Sequence, residues 1–183
     1  SLVLSNFTQE QVRNLYLQHT NQTGQIFTDD ALAYAFYLTQ GQPWLANALA
    51  YEACFRAVTD RTQPITQEIL ETAKDTLIKR RDTHLDVLID KLQEPRVSTI
   101  VDAIINSEQE SLNTSPDNVQ YVCDLGLITK KDNVLTIANP IYQEIVPREL
   151  SYVMEATIVQ KIAWYQHANG SIDTLKLLTA FQQ

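Results

Sequence analysis

Apolar residues recur every three to four positions along most of the chain, the spacing of one buried helix face. The first such run follows Thr8, an N-cap residue with Gln11 at the third helical position, and carries Val12, Leu15 and Tyr16 on one side up to His19. Gly24 interrupts it. Thr28 caps a second run over Asp29–Leu38, with two acids in its first turn and Leu32, Ala35, Phe36 and Leu38 facing inward. A third run extends from Trp44 to Val58 with Leu45, Leu49, Cys54 and Phe55 inward. A fourth starts at Thr66, after Pro64, and places Ile69, Leu70, Ala73 and Leu77 on its inner side up to about Arg81. Four helices joined by short loops predict a small bundle.

The pattern then restarts. His84–Leu92 presents Leu85, Leu88, Ile89 and Leu92. Pro95 opens a helix with Val97, Ile100, Val101 and Ile104 inward. Ser115 and Pro116 take the N-cap and first positions of a helix over Asp117–Leu125 that Gly126 closes. Two β-rich runs within Leu127–Ile137 flank Asp132-Asn133, which predicts a hairpin. Three helices and a hairpin are the order of a winged helix, with the third helix where a recognition helix would lie. Asn139 and Pro140 cap a further helix over Ile141–Val146. Beyond Ser151 the pattern leaves this module: Met154–Tyr165 is apolar-rich, His167–Gly170 is a turn, and Ser171 caps a last helix. The expected fold is mainly α, with a bundle over 1–82, a winged-helix domain with a short β-hairpin over 83–150, and the helical start of a further region over 151–183.

Composition narrows the chemistry. The 183 residues carry a net charge of −8, and 44% are hydrophobic. The acidic balance, with a pI near 4.8, argues against broad binding to a phosphate backbone. Lys79-Arg80-Arg81 is the one basic run. Asp82 and Asp86 come directly after it, so it reads as a solvated helix C-terminus rather than a phosphate contact. The third helix of the second module has no Lys or Arg, and Asp117, Asn118, Gln120, Tyr121 and Asp124 are its expected outward residues. Two carboxylates there would repel phosphates. Cys54 and Cys123 lie far apart in apolar patterns and read as reduced core residues of a cytoplasmic protein. No apolar run reaches membrane-spanning length.

His19, His84 and His167 are scattered, without metal-ligand spacing, and read as surface or cap positions. The four glycines are isolated, so the chain contains no P-loop, and no nucleophile motif is present. No catalysis is expected from this chain by itself. The apolar opening Ser1–Leu4, without an initiator methionine, and the uncapped Leu175–Gln183 read as the two ends of a piece of a larger protein.

Thr39-Gln40-Gly41-Gln42-Pro43-Trp44-Leu45 joins the second and third helices. Gly41 permits a positive φ, and Pro43 presets the first turn of the third helix. The pattern reads as a capped helix–helix corner, and its new N-terminus also suits an anion through N–H groups facing outward. This corner resembles the Gly-x-Pro corner in the helical lid of the STAND branch of AAA+ ATPases. More narrowly, the chain resembles the lid and winged-helix region of bacterial AAA-like ATP-binding proteins. Asn6-Phe7-Thr8, Leu15–Thr20, Gln120–Ile128, Ile137–Tyr142 and Val146–Leu150 carry the rest of the match. The resemblance implies that Gly41 and Pro43 contribute to an ATP or ADP site of the intact parent, with no nucleotide expected tightly bound to this piece alone; the scattered histidines predict no metal site. It implies an upstream P-loop core and a downstream domain of the same chain as partners. Related proteins carry a phosphate-reaching histidine near 137–140. Here Asn139 is the polar residue that would substitute as the nucleotide contact, and a capping role explains it fully.

The expected function is that of a lid and winged-helix piece of such an ATPase, taking part in nucleotide-dependent conformational switching and interdomain or partner contacts. Two alternatives stand beside it. A DNA-binding winged-helix regulator is favoured by the element order and by Lys130 and Lys131 on the wing. A protein-interaction scaffold is permitted by the exposed Tyr and Gln positions.

Overall fold

The computed structural model describes residues 5–80 and 83–157. The architecture is mainly helical with one small antiparallel hairpin. Helices α1 (Gln9–Thr23), α2 (Asp29–Thr39), α3 (Pro43–Glu52) and α4 (Gln67–Arg80) form the bundle. The capping box at Thr8 is complete: its hydroxyl accepts from Gln11 N, and Gln11 Oε1 accepts from Thr8 N. Thr28 caps α2 through Ala31 N. Val12, Tyr16, Leu32, Ala35, Leu45, Leu49, Leu70, Ala73 and Leu77 make the buried interior. An isolated parallel bridge, Phe27 to Ile65, ties the loop before α2 to the loop before α4.

Three details depart from the sequence pattern. α1 runs one turn past His19, to Thr23, before Gly24 ends it in the left-handed region. α3 gives way at Ala53 to a π-helical turn, Ala53–Ala57. The wider turn inserts a residue, and one residue rotates a helix face by roughly 100°. Phe55 therefore faces solvent, 50% exposed, although the α-helical period placed it inside. In the later part of the chain, the helix opened by Asn139 does not stop at Val146.

The second half contains α5 (Thr83–Leu92), α6 (Pro95–Ile105), a 3₁₀ turn (Gln109–Ser111) and α7 (Pro116–Asp124). The hairpin strands β1 (Ile128–Lys131) and β2 (Val134–Ile137) come next, then α8 (Pro140–Thr157). Leu85, Leu88, Leu92, Val97, Ile100, Val101, Val122 and Leu127 are buried together, and one hydrophobic core runs through both halves. Asp132 (φ 49°) and Asn133 (φ 67°) make the two-residue turn, both left-handed as a primed hairpin turn requires. α8 continues through Pro147, although proline cannot donate to the carbonyl one turn back. Burial of Ile145, Val146 and Leu150 on both sides of Pro147 outweighs that lost bond. The described residues up to Ser151 make one compact unit, and those from Tyr152 on belong to a second. The expected elements at His167–Gly170 and Ser171 lie outside the described residues. Among the described residues no helix is long and apolar enough to cross a membrane.

Candidate functional site

The corner between α2 and α3 is built from chain conformation first. Gln40 ends α2 in the left-handed region (φ 46°), and Gly41 comes next at φ 73°. The second position requires glycine for a further reason. A Cβ there would stand 1.9 Å from Phe7 O, because the segment before α1 lies directly on it. Phe7 N donates to Gly41 O at 2.7 Å, and Asn6 Nδ2 donates to Gln40 O at 3.2 Å. Gly41 is consequently buried, held by its own chain. Pro43 sits at the first position of α3 and is half-buried.

The expected row of outward N–H groups is reduced at this corner. Pro43 has none, Leu45 N donates to Gln42 Oε1 at 2.6 Å, and Ala46 N donates to Gln42 O at 2.9 Å. Gln42 is thus the N-cap, occupying with its own carboxamide a donor that an anion would use. Asn139 lies elsewhere in the fold, as the cap of α8. Its Oδ1 accepts from Tyr142 N at 2.9 Å, while its Nδ2 is buried without a hydrogen-bond partner. The three expected site residues therefore belong to two separate caps, each explained by local structure.

A tighter polar constellation surrounds Gln25, which the sequence pattern did not single out. Gln25 is fully buried. Its Nε2 donates to the carbonyls of Asp60 (3.2 Å) and Gln63 (3.1 Å), with Val58 O at 3.5 Å. Its Oε1 must then be the acceptor, taking Arg61 Nη1 at 2.8 Å and His19 Nε2 at 2.8 Å. This assigns the His19 proton to Nε2. Arg61 Nη1 also donates to Cys54 O at 2.6 Å, inside the π-helical turn. The knot fastens the 58–63 loop to α1 and to the π turn. Its rim is aromatic: Tyr51 stacks on Phe55 at 5.3 Å, and the Arg61 guanidinium lies 4.9 Å from the Phe55 ring. No local signal announces it, since Gln25 and Arg61 sit in loops 36 residues apart.

Charge is gathered at three further places. Glu52, buried in α3, pairs with Arg80 of α4 at 3.1 Å, which gives the basic run a role inside the bundle. Lys74 of α4 is nearly buried and meets Glu71 (2.6 Å), Asp75 (3.4 Å) and, across to α8, Glu144 (3.1 Å). Burial pulls its ammonium pKa down, but the hydrogen bonds to Glu71 and Glu144 outweigh this and raise it above the ordinary lysine value. Glu94, between α5 and α6, accepts from Lys91 at 2.6 Å, from Arg96 at 2.8 Å and from the Tyr121 hydroxyl at 3.2 Å. The bonds from Lys91 and Arg96 hold its carboxyl pKa down at about 2. Arg96 lies 3.6 Å over the Tyr121 ring. Tyr121 is therefore engaged within the fold, and the exposed surface of α7 is left to Asp117, Gln120 and Asp124.

Burial also raises the thiol pKa of Cys54, to about 11, and that of half-buried Cys123; neither cysteine is in a disulfide. Among the described residues no group of His, Cys, Asp or Glu is placed to hold a metal ion. No protein-family model matches the sequence, and no curated protein is significantly similar to it.

Proposed function

We propose that the chain is the lid and winged-helix piece of an AAA-like ATPase of the STAND type, a relay that responds to ATP or ADP bound by a P-loop core upstream. The observation that carries this reading is the junction of the two halves. The bundle helices α1–α4 pack on one another, α5–α7 and the hairpin pack among themselves, and an ion pair between nearly buried Lys74 and partly exposed Glu144 reaches from α4 to α8. The two groups share one hydrophobic core, and this charged contact between them is where a shift of one against the other would be felt. Nucleotide would favour one arrangement only by contacts made in that arrangement alone. The half-buried Pro43 ring offers such a contact, and a phosphate would compete with Gln42 for Leu45 N–H.

The acidic outward face of α7 supports a protein-facing role for the second module over DNA reading. In the intact protein encoded by the gene, Pro43→Ala is expected to weaken ADP binding about tenfold, roughly 1.4 kcal/mol, in a calorimetric titration. Unchanged affinity would remove Pro43 from the site, and a gene without an upstream P-loop would end the proposal.

A further inference from the structure

The outer edge of the hairpin is met by a side chain instead of a third strand. β1 and β2 pair with Lys130 opposite Leu135 and Ile128 opposite Ile137. Leu135 turns its backbone away from β1: its N–H donates to Gln109 Oε1 at 3.0 Å, and its C=O accepts from Gln109 Nε2 at 2.8 Å. One carboxamide thus makes the two hydrogen bonds that a neighbouring strand would make. Strand alternation puts the N–H and C=O of Ile137 on this same edge.

A groove of about 310 Å³ runs beside it, lined by Ile104, Ile105 and Pro147 as well as by Val134 and Ile137 of β2. Val134 is 51% exposed and Ile105 37%, large apolar side chains left open beside this edge. At the hairpin tip Lys130 and Lys131 are exposed, and neither is ion-paired with an acid among the described residues of this acidic chain.

We propose that the β2 edge is a docking site for an extended peptide of a partner protein, added as a third strand, with apolar residues at alternate positions and carboxylates at the end that reaches Lys130 and Lys131. The backbone of the incoming strand replaces the Gln109 carboxamide on Leu135 and continues to Ile137. Its alternate side chains enter the groove toward Ile104, Ile105 and Pro147, and its other face stays in solvent. Gln109 is then the resident guard of the edge, hiding one register position from unspecific pairing while leaving the apolar groove open. This site is independent of any nucleotide contact at the α2–α3 corner.

The test uses the whole 183-residue chain and a fluorescein-labelled peptide in which Val alternates with Thr, with a pair of aspartates at one end, and its isomer with the aspartates at the other. Fluorescence anisotropy should show that one isomer binds more tightly than the other. N-methylation of every second amide should abolish binding when it blocks one edge of the peptide and spare it when it blocks the other. Gln109→Ala should tighten binding severalfold by removing the competitor at Leu135, and Ile105→Asp should weaken it tenfold or more. Absence of binding by both isomers to the wild-type chain and to Gln109→Ala would overturn the proposal. Equal tolerance of N-methylation on both edges would also overturn it, because the groove would then be holding side chains without a strand. The N-methylated peptides read out on the wild-type chain, so a variant that folds poorly cannot obscure the result.

Discussion

At Gly41 a single hydrogen atom in place of a side chain lets two segments meet. The left-handed φ disfavours any other residue, and the Phe7 carbonyl occupies the space a Cβ would need. Gly41→Ala should cost about 2–4 kcal/mol, visible as a lower midpoint in urea denaturation; a shift within experimental error would mean that the segment before α1 does not lie on the corner. The glycine's importance was legible in the sequence because a helix pattern stopped there and another began at proline. Its reason was not, because Phe7 is far away along the chain and nothing local announces the contact. The N-caps Thr8, Thr28 and Ser115 were legible for the opposite reason. Each cap bond closes within three residues, so the sequence contains both partners. Gln25, His19 and Arg61 lie beyond such reasoning. A glutamine in a loop carries no periodicity, and its hydrogen-bonding neighbours come together only after α1, the π turn and the 58–63 loop have packed.

Among the elements, α5, α6 and α7 converge on Glu94, and its depressed pKa makes the convergence measurable. A carboxyl whose folded-state pKa is lowered contributes stability above its unfolded-state value, near roughly 4.3, and loses it as pH falls through the folded-state value. For Glu94 that window extends down to about 2. Glu94→Gln should therefore melt below the wild type at neutral pH, with the gap closing as pH drops from about 4 toward 2. A gap constant across that range would assign the loss to packing instead of charge. The hairpin was the most legible element, since Asp132-Asn133 states its turn type in two residues. The π turn was the least legible. Ala53–Ala57 contains no glycine or proline to break the α-helical period, and the period therefore misplaced Phe55. α8 was cut short in the sequence pattern for a related reason: Pro147 is a local stop signal, and tertiary burial of its neighbours overrides it.

For the whole molecule, the mainly helical plan came from periodicity, because burial of amphipathic faces repeats a local signal many times over, and the hairpin came from its turn residues. The Lys74–Glu144 contact came from neither. Neither residue belongs to the apolar pattern, and only with α4 and α8 brought together is Lys74 nearly buried against Glu144. That contact sits where the two packing groups adjoin, the place a relay between them would use. If the proposal is right, the corner at Pro43 and the α4–α8 contact should respond to one ligand.

The most direct measurement is amide hydrogen exchange on the intact protein, with and without saturating ADP, followed at peptides covering Gln40–Ala46 and Glu144–Arg148. A nucleotide relay predicts slower exchange at the corner on adding ADP, accompanied by a change, in either direction, across Glu144–Arg148. Identical exchange at the corner in both states would contradict it, and protection at the corner with Glu144–Arg148 unmoved would deny the relay.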